Sequence, residues 1–308
     1  MINRVLIRIR VVQVLYATYL NESGDLRKAE SELIFSFQKS YDLYYYLLLL
    51  LVELTDLYSK RIQTRKSKLL PTEEDINPNT RLIDNLFIKQ LRDNEYFNKY
   101  LSDRPLSWED NENYVKSLLD KILQSETYQE YIKSPVQDYN TDREFWRKIF
   151  KSMIYGDEQL DDVLEDESLF WNDDIEIIES FVIKTIKKFE LSNGQKQELL
   201  PMFKDEEDRV FAIKLLRETM LNVKTARDMI DKYARNWESE RIAFMDKVIM
   251  QTAITEIITF PEIPISVTLN EYINIAKTYS TSKSSSFING ILDAVVAELK
   301  SDNKLLKK

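Results

Sequence analysis

Scarcity of glycine is the feature that most limits what this chain can fold into. The 308 residues include four glycines, where average usage of about 7% would give roughly 20. Gly24, Gly156, Gly194 and Gly290 lie far apart, and the absence of any G-x-G pair excludes both a dinucleotide-binding turn and a P-loop. Leu, Ile, Lys and Glu dominate, and no segment keeps the alternation of a strand. The sequence therefore predicts an all-α fold.

The chain also lacks histidine and cysteine, which narrows the chemistry open to it. Ser-His and Cys-His nucleophiles, the usual zinc sites and disulfides are all excluded. The longest run of apolar residues and tyrosine, residues 44–52, is much shorter than the roughly 20 residues that span a membrane, and the N-terminus lacks a signal-peptide pattern. We predict a cytoplasmic protein with no cofactor, no bound metal and no membrane partner.

Charge divides the sequence into segments. Residues 1–70 carry a net charge of +4, residues 71–205 a net charge of −13, and the remainder is neutral. A stretch with two prolines, residues 69–80, reads as a linker. These patterns predict an N-terminal helical subdomain at 1–70, an acidic helical insertion at 71–205, a C-terminal helical subdomain at 206–300 and a frayed tail at 301–308.

The first predicted helix combines an apolar stripe with cations. Arg4 and Arg8 stand one turn apart beside the stripe, and no acid occurs before Glu22. The arginines either cover the edge of the core with their charged ends in water or face an anion. The stripe steps by three and four residues through Val5, Ile9, Val12, Tyr16 and Tyr19.

A hydroxyl-rich segment between the last two predicted helices is the second candidate site. Lys277, Lys283, Ser284 and Phe287 lie within eleven positions. Cations bind phosphates, aromatic rings stack on unpaired bases, and helix starts accept phosphate oxygens. The alternative is a purely structural segment, consisting of a turn and a helix cap, in which Phe287 packs into the core. A capping box at Thr268 is also predicted for the helix that precedes the segment.

Several motifs in these regions resemble the NusB family of bacterial transcription antitermination factors. They are Asp246-Lys247, Ile263-Pro264, Asn270-Glu271, Ala276-Lys277 and the segment F-I-N-G-x-L-D that starts at Phe287. Arg8 and the V-Q-V-L-Y run at residues 12–16 resemble the opening helix of the family. The resemblance covers about residues 1–40 and 206–300, and it leaves about 41–205 without a counterpart.

The resemblance implies a NusB-like helical bundle of two packed subdomains, here with an additional helical insertion, and no enzymatic activity. It implies binding of boxA, a single-stranded RNA element in ribosomal RNA leaders, together with the ribosomal protein NusE in the RNA polymerase antitermination complex. Family members often have an acid at the position of Lys283, so we expect the lysine to favour RNA. The expected RNA-binding residues are Arg4, Arg8, Lys277, Lys283, Ser284 and Phe287, and the expected NusE-binding residues are Glu240 and Asp246.

Two other functions stay open at this point. Asp161, Asp162 and Glu165 superficially match the aspartate-rich Mg²⁺ motif of helical isoprenoid enzymes, although a solvated acidic face explains the same run. The other alternative is a helical protein-binding scaffold without RNA binding, which the acidic segment 71–205 favours. The arginines and the cationic turn favour RNA.

Overall fold

The computed structural model describes residues 1–234, 242–281 and 283–302. Within these ranges the chain is helical and has no strand, which confirms the predicted all-α fold. A π-helix at Phe150–Ile154 and a 3-10 helix at Leu191–Lys196 accompany the α-helices. The α-helices are α1 Arg4–Leu20, α2 Leu26–Lys66, α3 Glu73–Ile76, α4 Leu86–Arg92, α5 Glu95–Ser102, α6 Glu112–Gln124, α7 Glu126–Lys133, α8 Tyr139–Ile149, α9 Glu158–Glu167, α10 Ile175–Lys188, α11 Glu206–Leu221, α12 Val223–Tyr233, α13 Phe244–Thr259, α14 Ile265–Tyr279 and α15 Ser284–Ser301.

The chain divides into two compact units. The first contains Met1–Phe37 and the chain from Met202 onward, and the second is Gln38–Pro201. The linker at 69–80 and the charge pattern predicted boundaries at residues 70 and 205. In the structure the first of these boundaries lies earlier, after Phe37, because the apolar run at residues 44–52 lies in the core of the second unit. Of the predicted frayed tail, Ser301 ends α15, and residues 303–308 lie outside the described residues.

Helix α13 is the centre of the first unit. Most of its side chains are buried, and it packs against α1, α11, α12, α14 and α15. A helix that is apolar on nearly all faces has to be surrounded in this way. Its two buried acids, Asp246 in the first turn and Glu256 near the end, therefore need partners from the helices around it.

Helix α1 lies in a different rotation from the predicted one. Asn3 caps it by accepting a hydrogen bond from the Leu6 backbone N–H at 2.9 Å. The predicted stripe began at Val5, but Val5 is exposed, whereas Leu6 and Ile7 are fully buried. Periodicity predicted the helix, but the stripe had the wrong phase at its start. As a consequence Arg8 lies on the buried face.

The start of α14 also differs from the prediction. The helix begins at Ile265, directly after Pro264, and has no side-chain cap. Thr268 is therefore inside the helix and fully buried, so the predicted capping box is wrong. Pro264 takes the N-cap position instead, with a φ angle of −57° and a ψ angle of 139°.

The second unit is built around aromatic pairs. The ring of Tyr46 stacks on Trp108 at a centroid distance of 4.1 Å, and the Trp108 indole N–H donates to the Tyr46 carbonyl at 3.0 Å. Tyr45 stacks on Tyr100 at 3.7 Å. Such pairs add stability beyond their buried area, and the indole contact satisfies a buried polar group. In neither unit does the described chain contain a helix with the length and hydropathy needed to cross a membrane.

Candidate functional site

Arg8 is the centre of a buried polar network. Its Nε and Nη2 atoms donate to the two carboxylate oxygens of Glu256 at 2.8 and 2.9 Å. Glu256 also accepts hydrogen bonds from Thr268 Oγ1 at 2.8 Å and from the Tyr272 hydroxyl at 3.0 Å. The network joins α1, α13 and α14, and it has the bidentate geometry that makes an arginine–carboxylate pair strong.

The groups of this network stabilise each other's protonation states. Burial by itself would lower the pKa of Arg8, but the hydrogen bond and charge of Glu256 raise it above its usual value. Burial and the negative charge of Glu256 raise the pKa of Tyr272 well above its usual value. Arg8 therefore stays charged and Tyr272 stays neutral as a donor. The Arg8 side chain is only 3% exposed, so this geometry gives no support to a direct contact between Arg8 and RNA.

Arg4 lies one turn before Arg8 and is more accessible. Its Nε atom donates to Asp208 at 3.1 Å, and its guanidinium carbon lies 5.0 Å from the centre of the Phe211 ring. The side chain keeps 37% of its surface exposed. Arg8 helps to fix the backbone at Arg4, because its Nη1 atom donates a hydrogen bond to the Arg4 carbonyl at 3.2 Å. Of the two arginines, Arg4 is the one that a ligand in solution can reach.

The hydroxyl-rich segment links α14 to α15, and we call its described residues, 277–281 and 283–287, the serine turn. Ser280 and Ser284 both donate to the carboxylate of Asp246, the Ser284 contact measuring 2.8 Å. Ser284 also contacts Ser280 at 3.0 Å and Thr281 at 2.7 Å. These hydroxyls are satisfied inside the protein, so the turn is held from within by α13. Ser282 lies outside the described residues.

Cations remain on the outside of the serine turn. Lys277 in the last turn of α14 and Lys283 at the N-cap of α15 are both exposed, and Phe287 is half-buried. Helix α15 has no side-chain cap, so a positive helix end and two lysines occur together. Ser284, in contrast, is buried, and its hydroxyl positions the turn.

Arg8 and the serine turn attach to different ends of α13. Arg8 binds Glu256, and the serine turn binds Asp246, ten positions earlier on the same helix. At 1.5 Å per residue, these two anchors are about 15 Å apart along the helix axis. The predicted RNA-binding residues therefore form two groups on one scaffold helix, with Arg4 accessible in the first and Lys277 and Lys283 in the second.

The geometry gives less support to the predicted NusE contacts. Asp246 is 4% exposed and is occupied by the serine turn, so it offers no surface carboxylate to an arginine of a partner. Glu240 lies outside the described residues.

Sequence reasoning missed the partners of the arginines. Neither Glu256 nor Asp208 was among the predicted site residues. A signal for Glu256 exists, because it is a lone acid in the apolar run at residues 248–260. A buried acid of this kind needs a cation and hydrogen-bond donors. No comparable signal marks Asp208, which opens α11 in a run of acids.

The Mg²⁺ alternative gains no support. Asp162 and Glu165 are exposed on α9, and Asp161 is half-buried. Among the described residues, no three acidic side chains are grouped closely enough to hold a metal ion.

Comparison with known proteins points to one group of helical proteins. The chain matches the model described as the NusB family over residues 175–297. The transcription antitermination protein NusB of Salinibacter ruber is 38% identical over 132 residues, which cover 41% of this chain and 82% of that protein. The protein of the same name from Thermodesulfovibrio yellowstonii is 36% identical over 129 residues, 42% of this chain and 81% of that protein.

A third relative shares a shorter stretch. The transcription antitermination protein NusB of Chloroherpeton thalassium is 44% identical over 97 residues, or 32% of this chain and 46% of that protein. No solved structure matches the chain. The helical fold and these matches define the class as all-α relatives of bacterial antitermination proteins. The chain belongs to the NusB family, which confirms the resemblance seen in the sequence.

Proposed function

We propose that the chain is a transcription antitermination factor that binds boxA-type single-stranded leader RNA of ribosomal RNA operons. In this role it acts with NusE in the RNA polymerase antitermination complex, in the cytoplasm, and catalyses no reaction. Membership of the NusB family supports the general role, because the relatives carry the name transcription antitermination protein. The NusE part of the proposal rests on family membership.

One observation carries the RNA part of the proposal. Lys283 is exposed at the N-cap of α15, a helix whose first turn has no side-chain cap, and Lys277 is exposed in the last turn of α14. Uncapped N–H groups and nearby lysines favour phosphate oxygens. Phe287, one turn into α15, supplies a half-exposed ring for contact with a base.

The remaining predicted residues take supporting roles in this proposal. Arg4 meets the backbone of the RNA at the other end of α13, since it is the accessible arginine. Arg8 positions Arg4 and α1 through its contacts with Glu256 and the Arg4 carbonyl. Ser284 and Asp246 set the conformation of the serine turn.

The direct test is binding of the full chain to ribosomal leader RNA. We expect a mobility shift with leader RNA that is stronger than with a scrambled RNA of the same composition, and a further gain when NusE is added. Equal binding to both RNAs would contradict the proposal. Binding of NusE without any RNA binding would favour the protein scaffold instead.

A charge reversal locates the contact. Lys283→Asp places an acid beside the start of α15, so we expect leader RNA to bind about tenfold more weakly, corresponding to roughly 1.4 kcal/mol. Lys300→Asp is the matched control, because Lys300 is an exposed lysine in the last turn of the same helix. An equal loss in both variants would show that only net charge matters and would remove the assigned surface.

A further inference from the structure

The second unit contains an acidic pocket to which the proposed function gives no role. Helix α8 continues into the π-helix Phe150–Ile154, and the chain then turns at Gly156, which has a φ angle of 70°. Helices α9 and α10 follow and complete a cavity of about 400 Å³. Its lining includes four carboxylates, from Asp161, Glu165, Glu176 and Glu179, beside the side chains of Tyr155 and Ile175.

Glu179 is a buried carboxylate with only one of its oxygens satisfied. The side chain belongs to a residue that is 1% exposed, and its Oε2 atom accepts a hydrogen bond from the Gly156 backbone N–H at 3.2 Å. Its Oε1 atom accepts no hydrogen bond from the described part of the chain. The same is true of Asp161 Oδ1. Both atoms are themselves buried, and they belong to residues that line the pocket.

The pocket has negative charge without a matching cation. No lysine or arginine occurs among the described residues that line it. Burial, together with the charges of Asp161, Glu176 and Asp157, raises the pKa of Glu179 to about 7, although the hydrogen bond from the Gly156 backbone lowers it. Burial and neighbouring acids also raise the pKa of Asp161. A bound cation would favour the ionised form of these acids, which burial and the neighbouring acids disfavour.

The arrangement suits an organic cation better than a metal ion. Mg²⁺ and Ca²⁺ require several oxygens at about 2.0–2.6 Å around one point. The described residues contain no group of three acids placed for that. The cavity volume lies in the range of small-molecule sites, and Tyr155 and Ile175 supply apolar surface for a methylene chain.

We propose that this pocket binds a primary alkylammonium group of a diamine or polyamine. The ammonium donates to Glu179 Oε1 and Asp161 Oδ1 at the buried end. The methylene chain lies against Tyr155 and Ile175, and a second ammonium is bound by the exposed acids Glu165 and Glu176. A lysine side chain of a polypeptide presents the same ammonium, so the test includes both sources. The inference is independent of RNA binding.

The test is calorimetric titration of the full chain at pH 8 with spermidine and, separately, with a tetralysine peptide. We expect saturable binding of spermidine, weakened at least tenfold by Glu179→Gln. Asp166→Asn is the matched control, since Asp166 is an exposed acid of α9 outside the pocket lining, and we expect a change below twofold. Tighter binding of tetralysine than of spermidine, with the same dependence on Glu179, would support the ammonium site and assign it to a polypeptide.

Three results would overturn the proposal. They are the absence of saturable binding by both ligands, an equal loss in the Glu179 and Asp166 variants, and binding of Mg²⁺ but not spermidine that depends on Glu179. Asp161→Asn provides a second variant at the buried end and is expected to weaken spermidine binding in the same direction. Circular dichroism of each variant establishes that the helical fold is kept.

Discussion

Two buried glutamates, one in each unit, have opposite surroundings. Glu256 in the first unit is fully buried and accepts hydrogen bonds from Arg8, Thr268 and Tyr272. Glu179 in the second unit is as deeply buried, but it accepts one hydrogen bond, from the Gly156 backbone, and has acids as its charged neighbours. Burial is the same in both places, and the partners differ.

The difference separates a structural charge from a binding charge. Burying a carboxylate costs several kcal/mol unless a cation and donors compensate. Glu256 has that compensation within the chain, so its network fixes α1, α13 and α14. Glu179 lacks it, which raises its pKa to about 7 and leaves its Oε1 atom without a hydrogen bond from the described residues.

The largest effect is expected where the compensation is complete. Glu256→Ala leaves the Arg8 guanidinium buried without its carboxylate, so we expect the free energy of unfolding to fall by about 3–5 kcal/mol. Urea denaturation measures it. Glu298→Gln is the control, since Glu298 pairs with Lys232 in a more exposed setting, and we expect a much smaller loss because solvent screens such pairs. Equal losses in the two variants would contradict a structural role for the Arg8–Glu256 pair.

Removing the uncompensated charge should have the opposite sign. A folded-state pKa raised from 4.5 to about 7 means that the folded protein binds the Glu179 proton more tightly than the unfolded chain does. The contribution of Glu179 to stability therefore falls as pH rises from about 4.5 to about 7, and it stays low above that range. We expect Glu179→Gln to raise the free energy of unfolding at pH 8 by up to about 3 kcal/mol.

The pH dependence provides the control for this variant. As pH rises from 5 to 7, the melting temperature of the wild type should fall further than that of Glu179→Gln, because the variant has no carboxyl group to ionise at this position. At pH 4.5 the difference between the two proteins should be small. If the melting temperatures of the two proteins changed equally with pH across this range, the charge of Glu179 would be compensated in solution. The contrast with Glu256 would then be wrong.

A smaller effect is expected at the other end of α13. Asp246→Ala removes the acceptor of the Ser280 and Ser284 hydroxyls, and leaving buried donors unsatisfied costs about 1–3 kcal/mol. We expect faster amide hydrogen exchange in the first turn of α15, measured by mass spectrometry. Ser286→Ala, an exposed serine in the same turn, should leave exchange there nearly unchanged. Unaltered exchange in Asp246→Ala would mean that the serine turn does not depend on α13.

Much of the fold could be predicted from the sequence. Scarce glycine and helical periodicity predicted the all-α class, because these signals are local and depend on backbone preferences. The predicted rotation of α1 and the predicted start of α14 were wrong, since both features depend on which neighbouring helices pack against them. Val5 and Thr268 show this: the first was expected in the core and is exposed, and the second was expected at a helix cap and is buried inside α14.

The sequence predicted where the candidate site lies better than it predicted what each residue of the site does. Lys283 and Lys277 occur on the surface of the serine turn, as a charge next to a helix end suggests. The partners of Arg8 and Ser284 come from α13, 248 and 38 positions away in sequence, and no local pattern reveals such pairings. The pocket around Glu179 was also missed, since its acids looked like a solvated face until α9 and α10 were placed together.

The central claim is that the serine turn meets RNA phosphates through Lys277 and Lys283, while Arg8 is engaged by Glu256 inside the protein. The most direct measurement is the salt dependence of leader-RNA affinity for the double variant Lys277→Gln, Lys283→Gln. Log affinity falls with log salt, and each phosphate contact to a single strand contributes about −0.7 to that slope, so we expect the slope to become less negative by about 1.4, with Lys300→Gln unchanged. A slope equal to that of the wild type would contradict the claim.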